Sequence, residues 1–323
     1  MKAKKKLIIF ILLCLMSLSL LGQEDYTLYY KETSQAFTYM AKKEYIKAIN
    51  IYEQVFIDFY PFPDDLKNLK NCYLANKDTL SAYKVVLRMI ACGWELEEKT
   101  PIEDNKNAIV HNIGLSNSIL EQKIKEEYFQ RHTDYRRTIN QIENQYLESL
   151  KIGEAFAQAT RSRIWQNKKH YSKTQKEMLI NEVFETNRLL LINLLKRKNL
   201  SRKHISAWNG QFMEITLLHA VQTAPPCDFE YMMTLLQKEV TKGNLHPVVY
   251  ATIYDTYLCV NKKKKNSYYG QYAEGFSSGN PQCVNVQDAE KVDERRLAIG
   301  LPPLWAWCDY YHINYPQNYI PQK

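Results

Sequence analysis

Three polar residues stand out because helical spacing sets each of them on an apolar face. Trp208, Phe212, Ile215 and His219 follow steps of 4, 3 and 4, so His219 shares a face with three large apolar side chains. Val248, Ala251, Asp255 and Leu258 step by 3, 4 and 3, which puts Asp255 on an apolar seam. Ala289, Val292, Arg296 and Ile299 place Arg296 in a third. An imidazole that a carboxylate orients can transfer protons, and a guanidinium beside it can stabilise developing negative charge. The same three residues also have a purely architectural reading. A buried acid or guanidinium is costly unless paired, so the seams can meet with Asp255 on Arg296 and His219 hydrogen-bonded beside them, locking three helices together. With Tyr269 and Arg295 as neighbours, the candidate set is His219, Asp255, Tyr269, Arg295 and Arg296, read either as a pocket or as a buried polar cluster. Both readings require Asp255 and Arg296 to be close.

The surrounding sequence names no reaction. It carries no nucleophile elbow, phosphate loop or metal-binding helix motif, and with 10 glycines in 323 residues it has no Gly-rich cradle. No Cys-x-x-Cys pair or His/Cys metal spacing occurs, so neither a metal site nor a cofactor is expected.

The elements that would position these residues read as helices, and the expected fold class is all-α. Helices are expected at 204–222, 228–242 and 246–260, separated by Pro225-Pro226 and by the stretch from Gly243 to Pro247. Residues 182–197 are apolar on most faces through Leu189-Leu190-Leu191-Ile192, as a helix inside a bundle would be, and 120–150 is a long charged helical stretch. In the last helix Asp288 is the expected cap, Arg295 and Arg296 lie near the negative C-terminal end, and Gly300 can take the left-handed position before Leu301-Pro302-Pro303. Tyr269-Gly270 reads as a turn in which glycine relaxes the backbone.

Upstream lies a repeat. Tyr39 and Tyr73 are 34 residues apart, as are Ala48 and Ala82, and Pro63 can open a new helix. A 34-residue period with a small residue where two helices approach is the arithmetic of tetratricopeptide repeats. The pattern fades after Gly93-Trp94. Residues 23–118 are therefore expected to form a tetratricopeptide-like module and 119–323 a C-terminal helical domain. Such a module offers a surface to a protein or peptide partner, or a packing platform for the rest of its own chain.

Residues 1–22 are expected to lie outside the fold. Four lysines precede an uncharged run from Leu7 to Leu21, then Gly22 and polar sequence, the design of a signal peptide cleaved after Gly22. Fifteen apolar residues fall short of the about 20 that a membrane span needs. A lipid anchor at Cys14 is disfavoured by Leu13, where a small residue is usual. The expected location is periplasmic or secreted. The formal charge of +8 is half signal peptide: without its four lysines, 39 basic residues face 35 acidic ones, a net +4. That modest surplus and the export signal argue against a nucleic-acid partner. Six cysteines follow Gly22, an even number that permits disulfides in an exported chain; Cys72 and Cys92 sit in apolar helical patterns, while a bridge among Cys227, Cys259, Cys283 and Cys308 is open.

The order Leu218-His219-Ala220, Asp255, Tyr269-Gly270, Asp293-Glu294-Arg295-Arg296 and Gly300-Leu301 resembles a bacterial exported family of unknown function, whose members carry a His-Ala helix, an Asp-Arg pair, a Tyr-Gly-Thr-Gln loop and a final Arg-Arg-x-x-x-Gly-Leu segment. The resemblance covers residues 130–305 and implies a helical domain, sometimes fused to helical repeats, with no activity attached. This chain departs from it at Thr256, where Arg is usual, and at Gln271-Tyr272, which replaces the Thr-Gln pair. The expected function is an exported binding or scaffold protein; the alternative is a hydrolase-type enzyme centred on His219, Asp255 and Arg296.

Overall fold

A computed structural model of the protein describes residues 26–92, most of 122–134, 141–166, 172–196, 216–221, 224–261 and 264–323. The expected signal peptide and the apolar residues Trp208, Phe212 and Ile215 lie outside these residues. The fold is all-α, and among the described residues the strands are short two-residue pieces near the C-terminus.

Four helices open the fold: α1 (Thr27–Ala41), α2 (Tyr45–Asp58), α3 (Pro63–Ala75) and α4 (Thr79–Ala91). They pack as successive antiparallel hairpins, α1 on α2 and α3 on α4. The 34-residue period of the sequence reappears as backbone geometry. Lys43 and Lys77 both take φ of 63°, a left-handed turn that ends the first helix of each pair. Glu44 N–H donates to Tyr39 O and Asp78 N–H to Tyr73 O, each at 2.9 Å. Ala48 and Ala82 are fully buried where the paired helices approach. Pro63 occupies the first turn of α3, where its missing N–H costs nothing, and the Asp78 carboxylate caps α4 by accepting from Ser81 N–H at 3.0 Å.

Two long helices, α5 (Gln141–Gln166) and α6 (Lys173–Lys196), form a further hairpin. Then come a helical stretch at 216–221, α7 (Pro226–Thr241) and α8 (Pro247–Thr256), which runs on as one π-helical turn, Tyr257–Asn261. Prolines again stand in the first turns of α7 and α8. β1 (Asn266–Ser267) pairs in parallel with β4 (Asn285–Val286), and β2 (Ala273–Glu274) pairs antiparallel with β3 (Gln282–Cys283). The chain closes with α9 (Val292–Ala298) and α10 (Leu304–Tyr311).

One correction concerns α9. Asp288 does not cap it: the residue is itself left-handed, with φ of 42°, and leads into a short 3-10 turn (Ala289–Lys291) before the helix starts at Val292. In this part of the chain the capping acid is Asp293, whose Oδ1 accepts from the N–H of Leu304 at the start of α10 at 2.6 Å. Gly300 takes the expected left-handed conformation, φ 84°, and its bare Cα faces Tyr30 of α1 so closely that any side chain would collide.

The buried core runs without a break from α1 to α10. The Tyr30 hydroxyl lies 2.9 and 3.1 Å from the carbonyls of Val240 and Leu245, closing the C-terminal end of α7. Phe37 of α1 packs against Tyr310 of α10 with ring centroids 5.0 Å apart, and Asn71 of α3 donates to the Tyr310 hydroxyl. The face shared by α1 and α3 is therefore covered by the chain's own second half. A smaller satellite core joins α4 to Ile124.

Candidate functional site

The residues singled out by sequence fall into two places. Asp255, Tyr269, Arg295 and Arg296 converge on one loop, whereas His219 belongs to a different contact.

Asp255 sits on the last turn of α8 with no exposed surface. Its carboxylate faces backbone. Oδ1 accepts from Tyr268 N–H at 2.6 Å and from Tyr269 N–H at 3.0 Å; Oδ2 accepts from Tyr269 N–H at 3.1 Å and from Gln271 N–H at 2.7 Å. Arg296, on α9 and equally buried, grips the same loop from its other side. Nη1 donates to Tyr269 O at 2.7 Å and Nε to Pro302 O at 2.7 Å. With its amide oriented so that oxygen faces the guanidinium, Gln271 accepts from Nη1 and Nη2, both at 3.2 Å. Asp255 and Arg296 thus make no direct ion pair among the described residues. Residues 268–271 lie between them, with N–H groups turned toward the acid and carbonyl and amide oxygens toward the base. Each charge is met by the matching end of peptide dipoles, which offsets much of its desolvation. Burial pushes the Asp255 carboxyl up to about 6, and the N–H groups of Tyr269, Gln271 and Tyr268, with Arg296, hold it back.

The loop's conformation depends on Gly270, which has φ of 73°; a Cβ there would lie 2.8 Å from a Leu304 methyl of α10. Arg295 completes the structure from the surface side. Its Nε and Nη2 donate to Tyr268 O at 3.2 and 3.0 Å, its Nη1 donates to Asp288 O at 3.2 Å, and its guanidinium stacks 4.5 Å from the Tyr268 ring centroid. Tyr269 contributes mainly its backbone. Its buried ring packs edge-on to Tyr250, Tyr254 and Tyr268, and burial raises its phenol well above the ordinary range, away from proton transfer near neutral pH.

His219, in the helical stretch 216–221, meets Glu154 of α5. Its Nδ1 is 2.5 Å from Glu154 Oε1, and Gln158 Nε2 approaches both ring nitrogens, at 2.9 and 3.1 Å. Phe184 of α6 stacks obliquely at 5.4 Å. The His219 side chain keeps 18% of its surface exposed, while that of Glu154 keeps only 3%. Two polar atoms near this contact are buried without a hydrogen-bond partner, Glu154 Oε2 and Asn187 Nδ2 of α6. Asn187 lies directly over Gly153, whose missing side chain lets α5 and α6 approach here. An imidazole held by a buried carboxylate and still open to solvent can accept or donate a proton or hydrogen-bond a ligand.

The expectation that Asp255 orients His219 is therefore corrected. Both Asp255 oxygens are taken by backbone N–H groups, and the carboxylate beside His219 is Glu154. Glu154 was readable from spacing: Leu150, Glu154, Ala157 and Ile164 are all buried on one face of α5, an acid in an apolar seam like Asp255. No group of three metal-binding side chains occurs among the described residues. Comparisons with protein families, with curated proteins and with solved structures give no match.

Proposed function

We propose that the chain is an exported helical binding or scaffold protein whose tetratricopeptide-like hairpins act as a platform for its own second half. The observation that carries this reading is the occupied face of α1 and α3. In tetratricopeptide arrays the first helix of each hairpin lines the inner surface offered to a partner. Here Phe37 and Asn71 of those helices receive Tyr310, and Tyr30 holds the end of α7. On this reading a protein or peptide partner meets the assembled body rather than an open repeat groove. Export rests on the lysine-rich start, the apolar run and the small residue before polar sequence. No helix of the described residues is long and apolar enough to cross a membrane.

The residues that carry the family resemblance support the scaffold reading too. Asp255, Tyr269-Gly270 and Arg295-Arg296 are spread over residues 255–296 yet meet around one loop, where they set its backbone, while Gly300 faces Tyr30 and His219 lies apart on Glu154. Their co-occurrence then has a folding reason and needs no reaction.

The test compares a fragment of residues 23–118 with the full chain by near-UV circular dichroism during heating. A shared core predicts that the fragment lacks a cooperative transition while the full chain melts as one unit. A fragment melting cooperatively near the full-length midpoint would contradict the platform and restore an independent binding module.

A hydrolase reading keeps one observation, the mostly buried His219 on Glu154, whose ring still reaches solvent. Asp255 and Arg296 no longer serve it, being committed to the loop. A panel of chromogenic esters, amides and phosphoesters checks it: turnover lost in His219→Ala supports an enzyme, and no turnover above buffer in any class removes the reading.

A further inference from the structure

Cys283 and Cys308 are a pair that the binding and scaffold reading leaves unused. Cys283 lies on β3 and Cys308 in the middle of α10, 25 residues later, with both sulfurs buried and 3.8 Å apart. Their backbones are pinned so that the side chains face each other. Cys283 N–H donates to Asn314 O at 3.0 Å, Cys308 O accepts from Ile313 N–H at 2.9 Å, and Gln282 bridges to Asn314. A disulfide needs the sulfurs at about 2.05 Å, so each sulfur has to move by about 1 Å to close the gap. Cys227, by contrast, is exposed, and Cys259 is only half-buried. No disulfide closes among the six described cysteines in the structure as it stands.

We propose that Cys283 and Cys308 form a disulfide in the exported protein, made while the chain folds, which clamps α10 onto the β2–β3 hairpin next to the Arg296 loop. The location in this proposal rests on the export reading; the pairing itself rests on the sulfur contact. The oxidant is a disulfide of the cell envelope, either an oxidised dithiol protein or a low-molecular-weight disulfide such as glutathione disulfide. One cysteine thiolate attacks a sulfur of that disulfide, forming a mixed disulfide and releasing one oxidant thiol. The second cysteine thiolate then attacks the cysteine sulfur of the mixed disulfide and expels the other oxidant thiol. The two cysteines lose two electrons and two protons, and the oxidant's disulfide gains them. The order of events follows from burial. In the folded chain an oxidant cannot reach either sulfur, and contact with Cys283, together with burial, holds the Cys308 thiol far above its ordinary range. Exchange therefore belongs to the folding chain, and the finished bond is shielded from reductants. It closes a loop that contains Asp288, Arg295, Arg296 and Gly300, so it constrains the unfolded state of the final Arg-Arg-x-x-x-Gly-Leu segment of the resemblance.

The experiment refolds the reduced full-length chain in a glutathione/glutathione disulfide buffer. Exchange is then quenched with acid, and the chain is unfolded in guanidinium chloride at pH 8 with excess iodoacetamide and no reductant, so that every free thiolate is alkylated, and weighed. Five alkylated cysteines of seven, with peptides of Cys283 and Cys308 joined in the mass map, support the bridge. All six remaining cysteines alkylated in Cys308→Ser support it again. Seven alkylated cysteines in the wild type, or a peptide joining Cys283 to Cys227 or Cys259, overturn it. Wild type in oxidised and reduced form also serves as its own folding control, with the oxidised form expected to melt several degrees higher and equal midpoints counting against the clamp. The same alkylation on protein taken from cells separates the export reading from the pairing. A chain starting at Gln23 with the bridge supports both. A chain retaining Met1 with all seven thiols overturns export and the bridge in cells. A chain starting at Gln23 with all its thiols overturns the bridge alone.

Discussion

Two buried carboxylates divide the molecule by what surrounds them. Asp255 and Glu154 both project from helices into apolar seams, and both are almost completely shielded from water. Every partner of Asp255 is a backbone N–H, and neither of its oxygens is left over. Glu154 uses one oxygen on His219 and Gln158, keeps the other without a partner, and touches a ring that reaches solvent. The first arrangement is closed: nothing more can bind without breaking the loop it holds. The second has unused hydrogen-bonding capacity beside a ring that reaches solvent. Burial of an acid on a helical seam is thus no guide to function by itself. The number of its valences already spent is the better guide.

This contrast can be broken by mutation. The largest effect is expected from Asp255→Ala, which leaves the N–H groups of Tyr268, Tyr269 and Gln271 buried and unpaired beside Arg296; a loss of about 3–5 kcal/mol should appear in guanidinium denaturation. Next comes the pH dependence. Burial raises Asp255 to about 6 in the fold against roughly 3.9 unfolded. Between these values the folded chain binds more protons than the unfolded one, so this group's contribution falls as pH rises from 4 to 6, by roughly 2–3 kcal/mol, and is level above 6. Asp255→Asn should flatten that slope when wild-type and variant unfolding curves are compared across the window. A smaller loss, about 1–2 kcal/mol, is expected for Gly270→Ala, from the positive φ and the approach of Leu304. An opposite and still smaller slope belongs to the first region of the chain. Burial lowers the Lys70 ammonium of α3 to about 8, so stability should gain on the order of 1 kcal/mol as pH rises from 8 to 10, and Lys70→Met should remove that gain.

Much of the architecture was legible in the sequence, because helix caps and periodicity are local. Pro63, Pro226, Pro247 and Gly300 mark the breaks that they occupy, and the 34-residue spacing of Tyr39 and Tyr73 returns as two identical turns. Asp255 and Arg296 were readable as inward-facing. Their partners were not. Period 3.6 says which face a side chain occupies, but not which backbone groups a loop 13 to 16 residues away will present to it. The attractive assumption that two opposite buried charges find each other failed for that reason, since peptide groups can satisfy both. His219 meets Glu154 and not Asp255, because its seam packs on a helix 65 residues upstream, and spacing along one helix does not say which distant seam faces it. Asp288 looked like a cap by type and position, yet its left-handed backbone turns it out of that role.

The measurement that most directly tests the division is a paired one: guanidinium unfolding at pH 7 of Asp255→Asn and Glu154→Gln. An amide at 255 must turn an NH2 toward backbone N–H groups, whereas one at 154 can place its NH2 where an oxygen now has no partner. The account predicts a loss of about 2–3 kcal/mol for Asp255→Asn and a change within about 1 kcal/mol for Glu154→Gln. Equal losses in the two variants, or the larger loss at Glu154, would contradict it.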